Sequence, residues 1–227
     1  NVAIGLAFQY AKVIIIGRSI NKSKIITDKH PNIEFIQYDI LKDDPIILFN
    51  NIYYKYKYIH MIINGAGINS ATPFLDISTN EINNIFNVNY NFVLICCQQY
   101  IKNTLEISKP GKILNIGSVS GINPLSRVFT YSSSKAALHN LSKNLAREYG
   151  PFNINTNILI PGFFPAEQNK KILSNDRISQ ILSQTPLNRF GKPSELIGMV
   201  SLLASDQGSF INGAELVIDG GYSITKI

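Results

Sequence analysis

Six short apolar runs, each followed by a longer stretch, limit what this 227-residue chain can fold into. They are Val13 to Ile16, Ile33 to Ile36, Ile59 to Ile63, Lys112 to Ile116, Ile154 to Ile160 and Leu216 to Ile218. Glycine turns close several of them: Gly17, Asn64-Gly65-Ala66-Gly67, Pro161-Gly162 and Asp219-Gly220-Gly221. A run that is apolar throughout fits a strand covered on both faces. Strands spaced by helical stretches read as successive strand–helix–strand units. The pattern therefore predicts an α/β fold, a parallel sheet between two helical layers.

Helical spacing fills the intervals. Ile82, Ile85, Phe86, Val88 and Phe92 predict one helix over Glu81 to Ile101. Ala136, Ala137, Leu138, Leu141 and Leu145 predict another over Ser132 to Tyr149. A third, Ser194 to Ala204, follows Pro193, a good first-turn residue, with Glu195 near its positive end. The tract Tyr53 to Tyr58 reads as a helix end covering the sheet. The polar segment 163–191 lies between a strand and the last long helix and reads as a lid over a site.

The length suits one domain, 1–227, with a well-buried core. No run of about 18 unbroken apolar residues is present, so no membrane-spanning helix is expected. Asn1 to Gln9 lacks a charged leader before an apolar core. Cys96 and Cys97 are neighbours, which disfavours a disulfide and lacks zinc-site spacing. These features predict a cytoplasmic protein without a bound metal. The net charge is +6, but the basic residues are spread out. Lys22, Lys24 and Lys29 are only loosely grouped, so neither nucleic acid nor a membrane is expected as a partner.

Ser118, Tyr131 and Lys135 carry the clearest chemistry. Ser118 follows a strand, at the strand end where open α/β sheets place ligands. Tyr131 and Lys135 are four apart on a helix and share a face. A tyrosine is a weak base, with a pKa of about 10. A nearby ammonium favours the phenolate, so the pair suits proton transfer near neutral pH. A serine hydroxyl can hold the substrate oxygen. Alone, a Tyr-x-x-x-Lys pair is common on helix surfaces.

Many further segments extend the pattern, in order and at consistent spacings. They include Asn64-Gly65-Ala66-Gly67, Val88-Asn89, Ile116-Gly117-Ser118-Val119-Ser120-Gly121, Tyr131-Ser132-Ser133-Ser134-Lys135-Ala136-Ala137 and Pro161-Gly162. Arg189-Phe190-Gly191-Lys192-Pro193, Ile211-Asn212-Gly213 and Asp219-Gly220-Gly221 complete it. From about Val13 to its end, the chain resembles the short-chain dehydrogenase/reductase family. That resemblance implies a Rossmann-like doubly wound sheet, a nicotinamide cofactor, a small-molecule substrate and a homotetramer. It implies that Tyr131 is the catalytic acid/base and that Lys135 holds the nicotinamide ribose and depresses the tyrosine pKa. Ser118 would orient the substrate carbonyl, and Asn89 would keep a relay water beside the lysine. Asn64, Gly65, Ala66, Gly67, Pro161 and Gly162 would border the cofactor. Asp39 would contact the adenine, although a helix N-cap explains that residue equally well.

Cofactor choice turns on Gly17-Arg18-Ser19. An acidic residue at this strand end would select NAD. Arg18 instead offers a planar fork to a 2′-phosphate, which favours NADP(H) over NAD(H), or it stacks on either adenine.

Two departures stand out. The family opens with a strand and a glycine-rich loop that places the pyrophosphate at a helix N-terminus. Here only Ala3-Ile4-Gly5 resembles that loop's tail, which leaves Gly5 as its cofactor-contact candidate. Val13 to Ile16 and Ile59 to Ile63 are accordingly expected to flank a common strand outside the given residues, in a seven-stranded sheet. The second departure is Phe163-Phe164-Pro165-Ala166-Glu167-Gln168-Asn169, which resembles the D-mannonate (fructuronate) and gluconate oxidoreductases. Substrate candidates are Ser120, Arg127 and Gln168. Arg127, Lys170, Lys171 and Arg177 can offer a cation to a carboxylate, although each alone is more simply solvent-exposed charge. The expected activity is therefore hydride transfer on a small keto or hydroxy acid. The alternatives are a 3-oxoacyl-acyl-carrier-protein reductase and a catalytically idle binding protein of the same fold.

Overall fold

The structure, a computed structural model, describes residues 1–9, 11–165 and 174–224. Among these residues it holds strands β1 (Val13–Gly17), β2 (Ile33–Gln37), β3 (Met61–Asn64), β4 (Gly111–Ile116), β5 (Ile154–Pro161) and β6 (Glu215–Ile218). Helices α1 (Val2–Phe8), α2 (Ile20–Thr27), α3 (Pro45–Tyr56), α4 (Thr79–Phe86), α5 (Phe92–Glu106), α6 (Phe129–Tyr149), α7 (Asn175–Ser183) and α8 (Ile197–Ala204) pack around them. Every pairing is parallel, in the orders β1-β2 and β3-β4-β5-β6.

Adjacent residues of β4 and β5 serve opposite faces, as a pleated strand requires. Ile113, Ile158 and Ile160 join a core with Phe49 and Ile52 of α3, Val93 and Tyr100 of α5 and Leu138 of α6. Leu114 and Leu159 point the other way, onto Val200 and Leu203 of α8, with Leu6 of α1 alongside. These two cores are the interfaces of a three-layer αβα sandwich. Ile14, Ile36 and Ile62 flank the first core, so both strand groups share it.

β1 and β3 do not pair with each other among the described residues. The described residues form six strands in two groups rather than a seven-stranded sheet. β3 begins at Met61, two residues after the apolar run opens. The long helix expected over Glu81 to Ile101 is interrupted. α4, capped by Ser78, runs into a π-helical turn, Asn87–Asn91, before α5. A π turn carries an extra residue and rotates the helical face, so uniform spacing does not register it. Its effect here is to bury Asn89 fully.

Candidate active site

A cavity of about 540 Å³ opens where β3, β4 and β5 end. Gly65 and Gly67 follow β3, Gly117 and Ser118 follow β4, and Pro161 and Gly162 close β5; all six line it. Glu81 ties down one wall, accepting hydrogen bonds from Ser70 (2.6 Å) and Thr72 (2.7 Å) in the loop after β3.

Ser118, Tyr131 and Lys135 converge in this cleft. The Ser118 hydroxyl oxygen accepts from the Ser120 amide (3.2 Å) and the Ser120 hydroxyl (3.0 Å). Its own hydrogen remains for the Tyr131 phenol, whose pKa Ser118 draws down. Lys135 is 4% exposed, and its Nζ donates to the Ile116 carbonyl at 2.7 Å. The same Nζ lies 5.8 Å from the Tyr131 ring centroid.

The electrostatics differ from the sequence expectation. Burial pushes the Tyr131 phenol above its ordinary pKa, and the opposing influence is the Ser118 hydrogen bond, not Lys135. The ammonium is engaged with a backbone carbonyl and lies over the Tyr131 ring. Burial also brings Lys135 down to about 8. Tyr131 is thus kept protonated, the form a proton donor needs.

Asn89 lies beside this set. Its Oδ1 accepts from the Ile68 amide (2.9 Å), and its Nδ2 donates to the Ile68 carbonyl (3.0 Å) and the Ser134 hydroxyl (3.0 Å). The loop after β3 is thereby stapled to α6.

The other sequence candidates divide. Gly65, Gly67, Pro161 and Gly162 line the cleft; Ala66 is exposed between the first two. The Asn64 side chain turns away to donate to Asn115 Oδ1 at 2.8 Å, and so crosslinks β3 and β4. Gly5 is inside α1, not in a loop, and a Cβ there would stand 2.7 Å from Ile197. Its missing side chain serves helix packing. Arg18 is exposed just past β1, and its carbonyl accepts from Gln37 at 3.4 Å. The Asp39 carboxylate accepts from the Leu41 amide at 3.2 Å, capping a turn. The helix cap offered for Asp39 belongs instead to Asp44, at the start of α3. Gly5, Arg18, Asp39 and Asn64 are not among the cleft-lining residues.

On the substrate side, Ser120, Arg127 and Arg177 line the cleft, Arg127 with a left-handed backbone (φ 65°). Phe163 and Phe164 line it as well, together with Ser174, Asp176 and Gln180 at the start and middle of α7. Gln168, Lys170 and Lys171 lie outside the described residues. Sequence reasoning missed Asn69, whose buried Oδ1 lacks a hydrogen-bond partner, and His139, one turn beyond Lys135. The row Tyr131, Lys135, His139, spaced four apart on α6, was the available signal for the latter.

A family model described as enoyl-(acyl carrier protein) reductase matches residues 1–223. The chain belongs to the short-chain dehydrogenase/reductase family. It is 28% identical to the 2-dehydro-3-deoxy-D-gluconate 5-dehydrogenase of Escherichia coli, over 81% of this chain and 74% of that protein. It is 30% identical to a 3-oxoacyl-[acyl-carrier-protein] reductase of Chlamydia trachomatis, over 83% of this chain and 76% of that one. A tropinone reductase homolog of Arabidopsis thaliana is 32% identical over 73% of this chain, which spans 52% of that relative's length. Among solved structures, a gluconate 5-dehydrogenase of Burkholderia cenocepacia with NADP and tartrate superposes with a TM-score of 0.92 at 24% identity, covering 99% of this chain and 90% of that one. A 4-hydroxyisoleucine dehydrogenase with NADH superposes with a TM-score of 0.88 at 29% identity, covering 99% and 96%. In this short-chain dehydrogenase/reductase, among the described residues, no helix is long and apolar enough to cross a membrane.

Proposed function

We propose that this protein is an NAD(P)-dependent oxidoreductase acting on a small keto or hydroxy substrate, a sugar acid of the D-mannonate/fructuronate or gluconate kind. The observation that carries the reading is the convergence of Ser118, Tyr131 and the buried Lys135 in one cleft at the strand ends. The residues present fit the cofactor. Gly65 and Gly67 open the backbone to the cleft, and a Cβ on Gly67 would stand 3.6 Å from Lys135 Nζ, in space a ribose needs. When bound, nicotinamide supplies or removes the hydride. In the reducing direction negative charge grows on the substrate oxygen, Ser118 holds that oxygen and Tyr131 gives it a proton. Lys135 binds the ribose, and Ser118 opposes the effect of burial on the Tyr131 phenol.

Arg127 and Arg177 support the sugar-acid reading, because both border the cleft and can pair with a carboxylate. In the same reading, Phe163, Phe164 and the start of α7 cover the substrate and NADP(H) is preferred through Arg18. A homotetramer in the cytoplasm is the assembly and location that go with it. The 3-oxoacyl reductase is the second reading, favoured by the Chlamydia trachomatis relative. A panel of sugar acids, simple ketones and acetoacetyl thioesters with both cofactors separates them. Turnover of sugar acids supports the first reading; turnover confined to thioesters replaces it with the second.

A further inference from the structure

We propose that His139 is a positioning residue that holds the Ser118 hydroxyl in its working place, and that protonation of His139 releases it. The inference rests on the reading of Ser118 as the group that holds the substrate oxygen.

His139 sits on α6, 4% exposed, beneath the turn that carries Ser118. Its Nε2 lies 3.4 Å from the Ser118 backbone nitrogen. A backbone N–H can only donate, so Nε2 must accept with its lone pair. The ring hydrogen is then on Nδ1, which faces Glu215 Oε1 of β6 at 3.4 Å. The other Glu215 oxygen pairs with Lys143 Nζ at 2.9 Å. A carboxylate thus orients an imidazole, and the imidazole orients the residue that meets the substrate.

Space fixes the ring as well. A Cβ on Gly117 would stand 2.4 Å from His139 Nε2, and one on Gly121 would stand 3.0 Å from it. The imidazole fills the volume left by two glycines that bracket Ser118. No larger residue at either place leaves room for it. Ser118 Oγ already accepts two bonds from Ser120, so the direction of its hydroxyl follows from where its backbone is held.

Burial is the main influence on His139 and disfavours the charged ring; Lys135 and Lys143 add to it, and Glu215 opposes it. The pKa is therefore below the ordinary 6.5, and the ring is neutral at pH 7. Protonation places an Nε2–H against the Ser118 N–H, two donors face to face, and Ser118 loses its anchor. The working form is the neutral one, so turnover falls as pH drops through the His139 pKa.

The test joins two readouts on the whole protein. Nitrogen-15 NMR of labelled histidine should show the Nδ1–H tautomer above pH 7, with the Ser118 amide resonance titrating together with the His139 ring. The kcat/KM profile should show an acid limb below 6.5. His139→Gln keeps an acceptor but cannot titrate, so it should retain turnover and lose that limb. His139→Leu should lower kcat by roughly ten- to a hundredfold with little change in cofactor KM. Lys143→Met, at an exposed position, should move the limb to higher pH by removing a charge that disfavours the imidazolium. An Nε2–H tautomer, an unchanged acid limb in His139→Gln or wild-type kcat in His139→Leu would each overturn the proposal. The NMR readout needs no turnover, so it stands even if the leucine variant fails to fold. Full turnover in Tyr131→Phe would reject the oxidoreductase mechanism without touching the tautomer result.

Discussion

The Lys135 ammonium donates a 2.7 Å hydrogen bond to the carbonyl of Ile116, the last residue of β4. One cation thereby pins α6 to the end of the strand that presents Ser118. Its burial has a cost that is visible in pH. The folded pKa, about 8, lies below the ordinary 10.5. Between those values the unfolded chain holds the extra proton, so rising pH favours the folded state. We expect the wild type to gain about 3 kcal/mol over Lys135→Met between pH 7 and pH 11. Urea unfolding of both proteins across that range checks it; parallel stability curves would contradict it.

Asn89 is the next dependency. It is fully buried and bonded to both backbone groups of Ile68 and to Ser134. Removing its amide leaves several buried groups without partners, at a cost of about 1–3 kcal/mol each. Asn89→Ala should lower the unfolding free energy by about 2–4 kcal/mol and reduce kcat. A loss below about 0.5 kcal/mol by urea denaturation would mean that these bonds are replaced by others.

Cofactor preference should follow Arg18. Arg18 is exposed just past β1, where a guanidinium can meet a 2′-phosphate. Arg18→Ala should lower kcat/KM for NADPH by about tenfold and leave NADH within about twofold, a difference of about 1.4 kcal/mol. Steady-state kinetics with both cofactors decide it; equal losses would remove the phosphate role.

The arginines at the cleft mouth should matter for an acidic substrate. Arg127→Ala should raise the KM of a sugar acid several-fold and spare that of an uncharged ketone, because only the former loses a charge-assisted bond. A uniform rise across both substrates would point to a structural role for the left-handed Arg127 backbone.

Much of this was legible in the sequence, for identifiable reasons. Strand runs such as Ile113-Leu114 and Ile158-Leu159-Ile160 are apolar throughout because adjacent residues feed two different cores. Ser118, Tyr131 and Lys135 meet because one strand end and one helical turn suffice to place them. Other features depend on tertiary context that spacing does not carry. The π turn at Asn87–Asn91 changes helical phase without a composition signal. Asn64 turned from the cleft to Asn115, a partner 51 positions away. Gly5 proved to be a packing glycine against Ile197, since a lone glycine carries no mark of helix or loop. The tyrosine pKa went up because burial, invisible in a linear sequence, is the largest influence on it, and Ser118 rather than the lysine four residues on opposes it.

The central claim is that Tyr131 donates the proton to the developing alkoxide. The phenol is raised in pKa by burial and set in the cleft with Ser118 and Lys135. General acid catalysis of this kind contributes about a hundredfold to ten-thousandfold. The direct measurement is single-turnover reduction by Tyr131→Phe that is shown to be folded and saturated with cofactor. We expect a rate lower than wild type by at least about a hundredfold, with cofactor affinity unchanged within about threefold. A phenylalanine variant that reduces substrate at the wild-type rate would contradict the claim.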